Sequence, residues 1–201
     1  MIKNVIFDCG KVLVQYDETY IASFFVDNAE DAEFLGRVGM ARKYWDRFDK
    51  GDLKETEYLV EVKKELPERL HQAVEQLSEC WIDHCDAIPG MAEVVMDVKK
   101  NCKVYLLSNF NKKLRNELHK IPVLKAFDGL VISGEVNIVK PDRAIYQHLL
   151  DTYGLKAEEC IFIDDNAANI AAGESLGVRG YLFDGDVEKL RTHLESLSII
   201  S

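Results

Sequence analysis

No stretch of the 201-residue chain approaches the roughly 20 consecutive apolar residues that a membrane span requires. The opening run Met1-Ile2-Lys3-Asn4-Val5-Ile6-Phe7-Asp8 has an apolar stretch of strand length that ends on an acid, so no secretory leader is expected. Blocks of Lys and Arg are also missing: 25 basic side chains stand against 35 acidic ones, for a formal net charge of −10. Phosphate backbones are bound by basic faces, so the expected partners include neither nucleic acid nor membrane. The cysteines are few and odd in number (Cys9, Cys80, Cys85, Cys102 and Cys160), which argues against a disulfide framework. His84 lies between Cys80 and Cys85, but no second close pair completes a zinc site, and buried thiols are expected. Repeats and low-complexity segments are absent. The remaining reading is a soluble, cytoplasmic globular protein, monomer or homodimer, whose 47% hydrophobic residues suffice for a core.

Five short apolar runs stand out: Val5-Ile6-Phe7, Val104-Tyr105-Leu106-Leu107, Leu130-Val131-Ile132, Ile161-Phe162-Ile163 and Tyr181-Leu182-Phe183. They are rich in β-branched and aromatic residues and do not alternate, which suits strands covered on both faces. Helical patterns separate the later four. One follows Pro89-Gly90, a second follows Pro141-Asp142, and a third runs over 167–176 and stops at Gly177. Alternation of this kind predicts an α/β fold, a Rossmann-like parallel sheet core with helices on both faces. After the first strand the rhythm breaks. Residues 15–86 contain no convincing strand but several amphipathic helical patterns, over 19–26, 29–40, 56–66 and 70–82. This predicts a small inserted helical cap over 15–86, with 1–14 and 87–201 forming the core.

Ligands of open parallel sheets bind beyond the carboxyl ends of the strands. The segments that follow the predicted strands are Asp8-Cys9-Gly10, Ser108-Asn109, a loop reaching Val139-Lys140-Pro141-Asp142, and Asp164-Asp165-Asn166. Three carboxylates, a hydroxyl, an amide and an ammonium are therefore expected on one edge. Singly, each is an ordinary turn, cap or surface residue. Together, three acids repel unless a cation or shared protons intervene. Oxygen ligands without His or Cys suit Mg²⁺, and a lysine with a hydroxyl can hold the remaining oxygens of a phosphate. Phosphoryl transfer is the chemistry this favours.

Phe7-Asp8-Cys9-Gly10-Lys11-Val12-Leu13, Leu107-Ser108-Asn109, Lys140-Pro141-Asp142 and Ile163-Asp164-Asp165-Asn166 resemble, in order, the four motifs of the haloacid-dehalogenase-like (HAD) hydrolases. The likeness spans essentially the whole chain. It is greatest to small bacterial members with a short helical cap, several of them sugar-phosphate phosphatases, and to the N-terminal phosphatase domain of epoxide hydrolase. The resemblance implies that Asp8 is the nucleophile, forming an aspartyl-phosphate. It implies that Ser108 bonds the transferring phosphoryl group, that Asn109 orients substrate, and that Lys140 neutralises charge on Asp8 and the phosphate. For Mg²⁺ it implies Asp8, Asp165 and the Gly10 carbonyl as direct ligands, with Asp164 acting through water. The substrate it implies is a small phosphorylated metabolite such as a sugar phosphate.

One position departs from the pattern. Most phosphatases of this family carry a second Asp two residues after the nucleophile, where this chain has Gly10. General acid–base help is typically worth about 10²–10⁴-fold, so a slow enzyme, a good leaving group or a substitute acid is implied. Asp17 is the nearest acid in sequence, with a helix start as its expected role. Two alternatives remain at this point: a metal-independent 2-haloacid dehalogenase, and a non-catalytic HAD-like binding protein. Cys9 lacks the Arg that a cysteine phosphatase requires after five intervening residues, since Gln15 stands there, and it is expected to be buried. His119, His148 and His193 fall in helical patterns. Within the insertion, Arg42, Tyr44, Trp45, Arg47 and Phe48 precede Asp49-Lys50-Gly51, and such a cluster fits either a packed helix face or a specificity wall. Trp45 is the preferred substrate-contacting residue.

Overall fold

A computed structural model describes residues 1–200. Five strands, β1 (Asn4–Phe7), β2 (Lys103–Ser108), β3 (Gly129–Ile132), β4 (Cys160–Asp164) and β5 (Arg179–Leu182), form one parallel sheet in the order β3-β2-β1-β4-β5. The non-alternating sequences are explained by burial on both faces. Val5, Phe7, Val104, Leu106, Ile161 and Ile163 point into one apolar layer. Ile6, Tyr105, Leu107, Cys160 and Phe162 point into the other. Six helices belong to this core: α6 (Met91–Val98), α7 (Leu114–Glu117), α8 (Ser133–Val136), α9 (Arg143–Tyr153), α10 (Ala167–Glu174) and α11 (Val187–Ser196). Asp142 and Asn166 cap α9 and α10, each side chain accepting a backbone N–H two residues on.

The last strand lies two residues earlier at its start than its apolar run suggests, and Phe183 falls outside it. β5 is an edge strand with half-exposed residues, so backbone pairing to β4 sets its bounds more than side-chain burial does. Phe183 still donates its N–H to the Asp164 carbonyl at 2.9 Å.

Between β1 and α6 the chain is helical: α1 (Glu18–Ala22), α2 (Ala29–Gly39), α3 (Arg42–Lys50), α4 (Glu55–Val62) and α5 (His71–Cys80). The segment leaves and returns at one point. Gln15 donates to the Asp86 carbonyl at 2.7 Å and Ile88 to the Leu13 carbonyl at 3.0 Å. Asp17 caps α1, accepting the Tyr20 N–H at 2.7 Å, the helix-start role expected of it. No helix of the described residues is long and apolar enough to cross a membrane, and all five cysteines are free.

The crossing of α1 and α2 depends on Gly36. A Cβ there would lie 2.6 Å from the Glu18 carbonyl oxygen, a backbone atom that can yield only by moving the helix. Gly36→Ala should therefore lower stability by about 1–3 kcal/mol in urea denaturation; an unchanged midpoint would mean the helices part at no cost.

Candidate active site

Because β1 is central and the chain crosses to opposite sides of it, the loops after β1 and β4 diverge and open a crevice at the carboxyl edge. Asp8 follows β1 directly, and its backbone N–H is held by the Ile163 carbonyl at 2.9 Å. Asp164 ends β4, with Asp165 next in the chain. One carboxylate oxygen from each of Asp8, Asp164 and Asp165 lies within 4.8 Å of the other two. The first two are buried and the third is exposed.

Lys140 makes this arrangement tenable. Its side chain is 1% exposed, and its Nζ stands 2.9 Å from Asp8 Oδ1 and 2.7 Å from Asp164 Oδ2. The ammonium also lies 5.3 Å from the centroid of the Phe162 ring. Burial alone would discharge it, but the Asp8 and Asp164 carboxylates outweigh that effect and hold its pKa above the ordinary lysine value. Asp8 is raised above the usual carboxylate range, chiefly by burial and further by Asp164, although Lys140 and the Cys9 N–H oppose the shift. Asp165 is raised by burial and by Asp164, against Lys11 and Lys140.

The two neighbouring acids are used differently. Asp164 accepts from the Asn166 N–H at 2.8 Å, from Asn169 Nδ2 at 3.0 Å on both oxygens, and from Lys140. Asp165 faces the crevice. The donor set available to a cation is thus all oxygen, with Asp164 already engaged by the protein, and it fits a hard divalent ion.

Asp8, Lys140, Asp165, Asn166 and Asn169 line a cavity of about 260 Å³ to which the helical insertion contributes a further wall. Ser108, Asn109, Gly10 and Trp45 all line it. The carboxamide of Asn109 is also occupied elsewhere. It accepts from the Lys140 N–H at 2.7 Å and donates to the Lys140 carbonyl at 3.0 Å, so it fixes the lysine's backbone. The aromatic cluster resolves into two faces of α3. Arg42, Trp45, Asp46 and Asp49, spaced three or four apart, face the cavity. Tyr44 is buried, Phe48 packs on Tyr58, and Arg47 pairs with Glu61 at 2.8 Å. Trp81, 5.8 Å from Trp45 between ring centroids, stacks on Phe110 of the core at 5.0 Å.

Cys9, although next to Asp8, is fully buried, and burial pushes its thiol far above the ordinary value, so no thiolate forms there. Sequence reasoning missed Lys11, Tyr16, Asn169 and Asp49 as members of the site. None of the four carries a sequence signal of that position; Lys11 is placed by the turn after Asp8, where it adopts φ 58°.

A model of the haloacid dehalogenase-like hydrolase family matches residues 2–177. The chain belongs to this family of hydrolases. It is 26% identical over 192 residues to drimenol cyclase drtB of Aspergillus calidoustus, covering 91% of this chain and 34% of that protein. It is 23% identical over 188 residues to the D-ribitol-5-phosphate phosphatase of Bacteroides thetaiotaomicron, covering 88% of this chain and 89% of that one. The chain spans 34% and 37% of the length of two of the relatives it matches. Among solved structures, a predicted HAD-like family hydrolase from Porphyromonas gingivalis superposes with a TM-score of 0.74 at 21% identity over 98% of both chains. A HAD family enzyme of Bacteroides thetaiotaomicron in complex with magnesium and inorganic phosphate superposes with a TM-score of 0.71 at 20% identity, over 94% of this chain and 99% of that one.

Removing Lys140 should cost stability as well as any activity. Lys140→Ala leaves two buried carboxylates uncompensated, and a loss of about 3–5 kcal/mol is expected in denaturant titration at neutral pH. A loss under about 1 kcal/mol, the range of an exposed pair, would show that the ammonium is not the counter-ion of the site.

Proposed function

We propose that this hydrolase is a Mg²⁺-dependent phosphomonoesterase acting on a small phosphorylated metabolite such as a sugar phosphate, through an aspartyl-phosphate at Asp8. The observation that carries the reading is the Lys140 ammonium set between two buried carboxylates at the floor of a cavity, with a third acid alongside. Such a floor attracts a group that is anionic and polyoxygenated and brings its own cation. The phosphatase named among the relatives, and the related fold seen with magnesium and phosphate, point the same way.

Each residue then has a task set by its position. Asp8 supplies the attacking oxygen, and Lys140 lowers the cost of bringing that anion against a phosphate. Asn109 holds the Lys140 backbone in place, and Ser108 bonds a phosphoryl oxygen. Asn169 and the Asn166 N–H fix Asp164, which in turn orients Lys140. Asp8, Asp165 and the Gly10 carbonyl would hold Mg²⁺ directly and Asp164 through water. When bound, the ion would offset charge building on the phosphoryl oxygens. Residues 15–86 act as the cap: they leave and rejoin the core at one clasp and bring Trp45 and Trp81 over the cavity, which excludes water. The cavity accommodates a compact substrate, and its walls of Trp45, Trp81, Phe110 and Tyr16 suit an apolar or CH-rich face.

A panel of phosphorylated metabolites run with Mg²⁺ and with chelator, alongside a 2-haloacid, tests this. Phosphate release that chelator stops and Asp8→Asn abolishes is expected, with no halide released. Halide release insensitive to chelator, or phosphate release by the Asp8→Asn variant at the parent rate, would overturn it.

A further inference from the structure

Transfer of a phosphoryl group to Asp8 leaves an alkoxide, which departs from an unactivated ester only if it gains a proton. The turn after the nucleophile offers none, since Gly10 has no side chain and Asp17 is spent capping α1. Among the acids lining the cavity, Asp46 is paired with Arg42 at 2.9 Å. Asp49, one turn further along the same face of α3, makes no ion pair or side-chain hydrogen bond among the described residues, and it lines the same cavity as Asp8 and Lys140.

The end of α3 that carries Asp49 is fastened to the core. The Ser133 hydroxyl donates to the Asp49 carbonyl at 2.5 Å, and Asn137 Nδ2 donates to the Lys50 carbonyl at 2.9 Å. Gly51 follows at φ +78°, and a Cβ there would meet Asn137 Nδ2 at 2.7 Å and the Gly134 carbonyl at 2.9 Å. Both anchors belong to α8 and the residue after it, directly beyond β3. This seam sets where the Asp49 carboxyl stands relative to Asp8 at the end of β1 and Lys140 in the loop after α8.

We propose that Asp49 is the proton donor and acceptor of the reaction, supplied by the helical insertion because the Asp8-Cys9-Gly10 turn lacks one. The proposal rests on the phosphatase reading. In the first step an Asp8 oxygen bonds to phosphorus, the bond from phosphorus to the ester oxygen breaks with its electron pair going to that oxygen, and the Asp49 carboxylic acid protonates it to give the alcohol. In the second, the Asp49 carboxylate takes a proton from water as the water oxygen bonds to phosphorus. The Asp8–phosphorus bond breaks, its electron pair returns to Asp8, and inorganic phosphate leaves. Burial, reinforced by Asp46 and Asp8 and opposed by Arg42 and Lys140, raises Asp49 to about 7, so both forms are populated near neutrality.

The test compares the parent enzyme, Asp49→Asn and Asp49→Ser on an alkyl ester, glycerol 2-phosphate, and an activated aryl ester, p-nitrophenyl phosphate. Loss of about 10²-fold or more in kcat/KM is expected on the alkyl ester. On the aryl ester, whose leaving group needs no proton, the pre-steady-state burst of p-nitrophenol should keep the parent rate while the steady state slows, because phospho-Asp8 has lost its base. Two variants are used so that misfolding of one, seen by circular dichroism, does not decide the outcome. An equal effect on burst and alkyl hydrolysis, no effect on either, or the same split produced by Glu18→Gln in place of the Asp49 variants would overturn the assignment. If the parent releases phosphate from neither ester, or Asp8→Asn remains active, the phosphatase reading fails and the role of Asp49 falls with it.

Discussion

The site depends on one buried cation shared by two buried anions. An ammonium with almost no exposure is costly to desolvate, and so are the carboxylates of Asp8 and Asp164 on either side of it. Neither cost is tolerable alone. The three charges persist because they sit at hydrogen-bonding distance and because Asn169, the Asn166 N–H and the Cys9 N–H complete the carboxylates' remaining positions. Much of the local architecture can be read as support for this cluster. Asn109 grips the backbone of Lys140 from the end of β2, and β1 and β4 run side by side in register so that Asp8 and Asp164 emerge next to each other.

From that cluster the chemistry follows by subtraction. Asp164 has its hydrogen-bonding capacity largely committed within the protein, whereas Asp8 and Asp165 line the cavity. A polyanionic ligand finds there a fixed positive charge and oxygen ligands for a hard cation. The roof is a mixed surface, in which aromatic rings stand beside Arg42, Asp46 and Asp49 of α3. Trp45 and Trp81 come from the insertion and Phe110 from the core, and their stacking makes the roof continuous with the rim. In the proposed phosphatase, binding energy for phosphate and selectivity for what carries it would come from separate parts of the chain.

How much of this was legible in the sequence differs by layer. Four of the five strands announce themselves because burial on both faces leaves unbroken apolar runs, and β5 is displaced because an edge strand with half-exposed residues carries a weaker signal. Asp8, Ser108, Asp164 and Asp165 were readable because each ends or directly follows a strand, and parallel strands deliver their carboxyl ends to a common edge, which Lys140 reaches from the loop after α8. The α3 face was only half readable. Its aromatic and basic residues stand out, but helical spacing alone does not say which side meets the core. Tyr44 and Arg47 pack away from the cavity, while Arg42, Trp45 and Asp49 line it. Asp49 carries no sequence signal of its role, because that role depends on the Ser133 and Asn137 contacts, more than eighty residues distant in the chain. Asn109 illustrates the reverse case: its presence at the site was readable, but its attachment to the backbone of Lys140 required the fold.

In the proposed mechanism Asp8, held beside Lys140, becomes covalently phosphorylated during turnover. Rapid acid quench of a single-turnover reaction, followed by peptide mass spectrometry, tests it most directly. The peptide containing Asp8, and no other, should transiently gain the mass of one phosphoryl group, and this adduct should be absent in Asp8→Asn. Turnover with no adduct at any time point, or an adduct on a different residue, would contradict it.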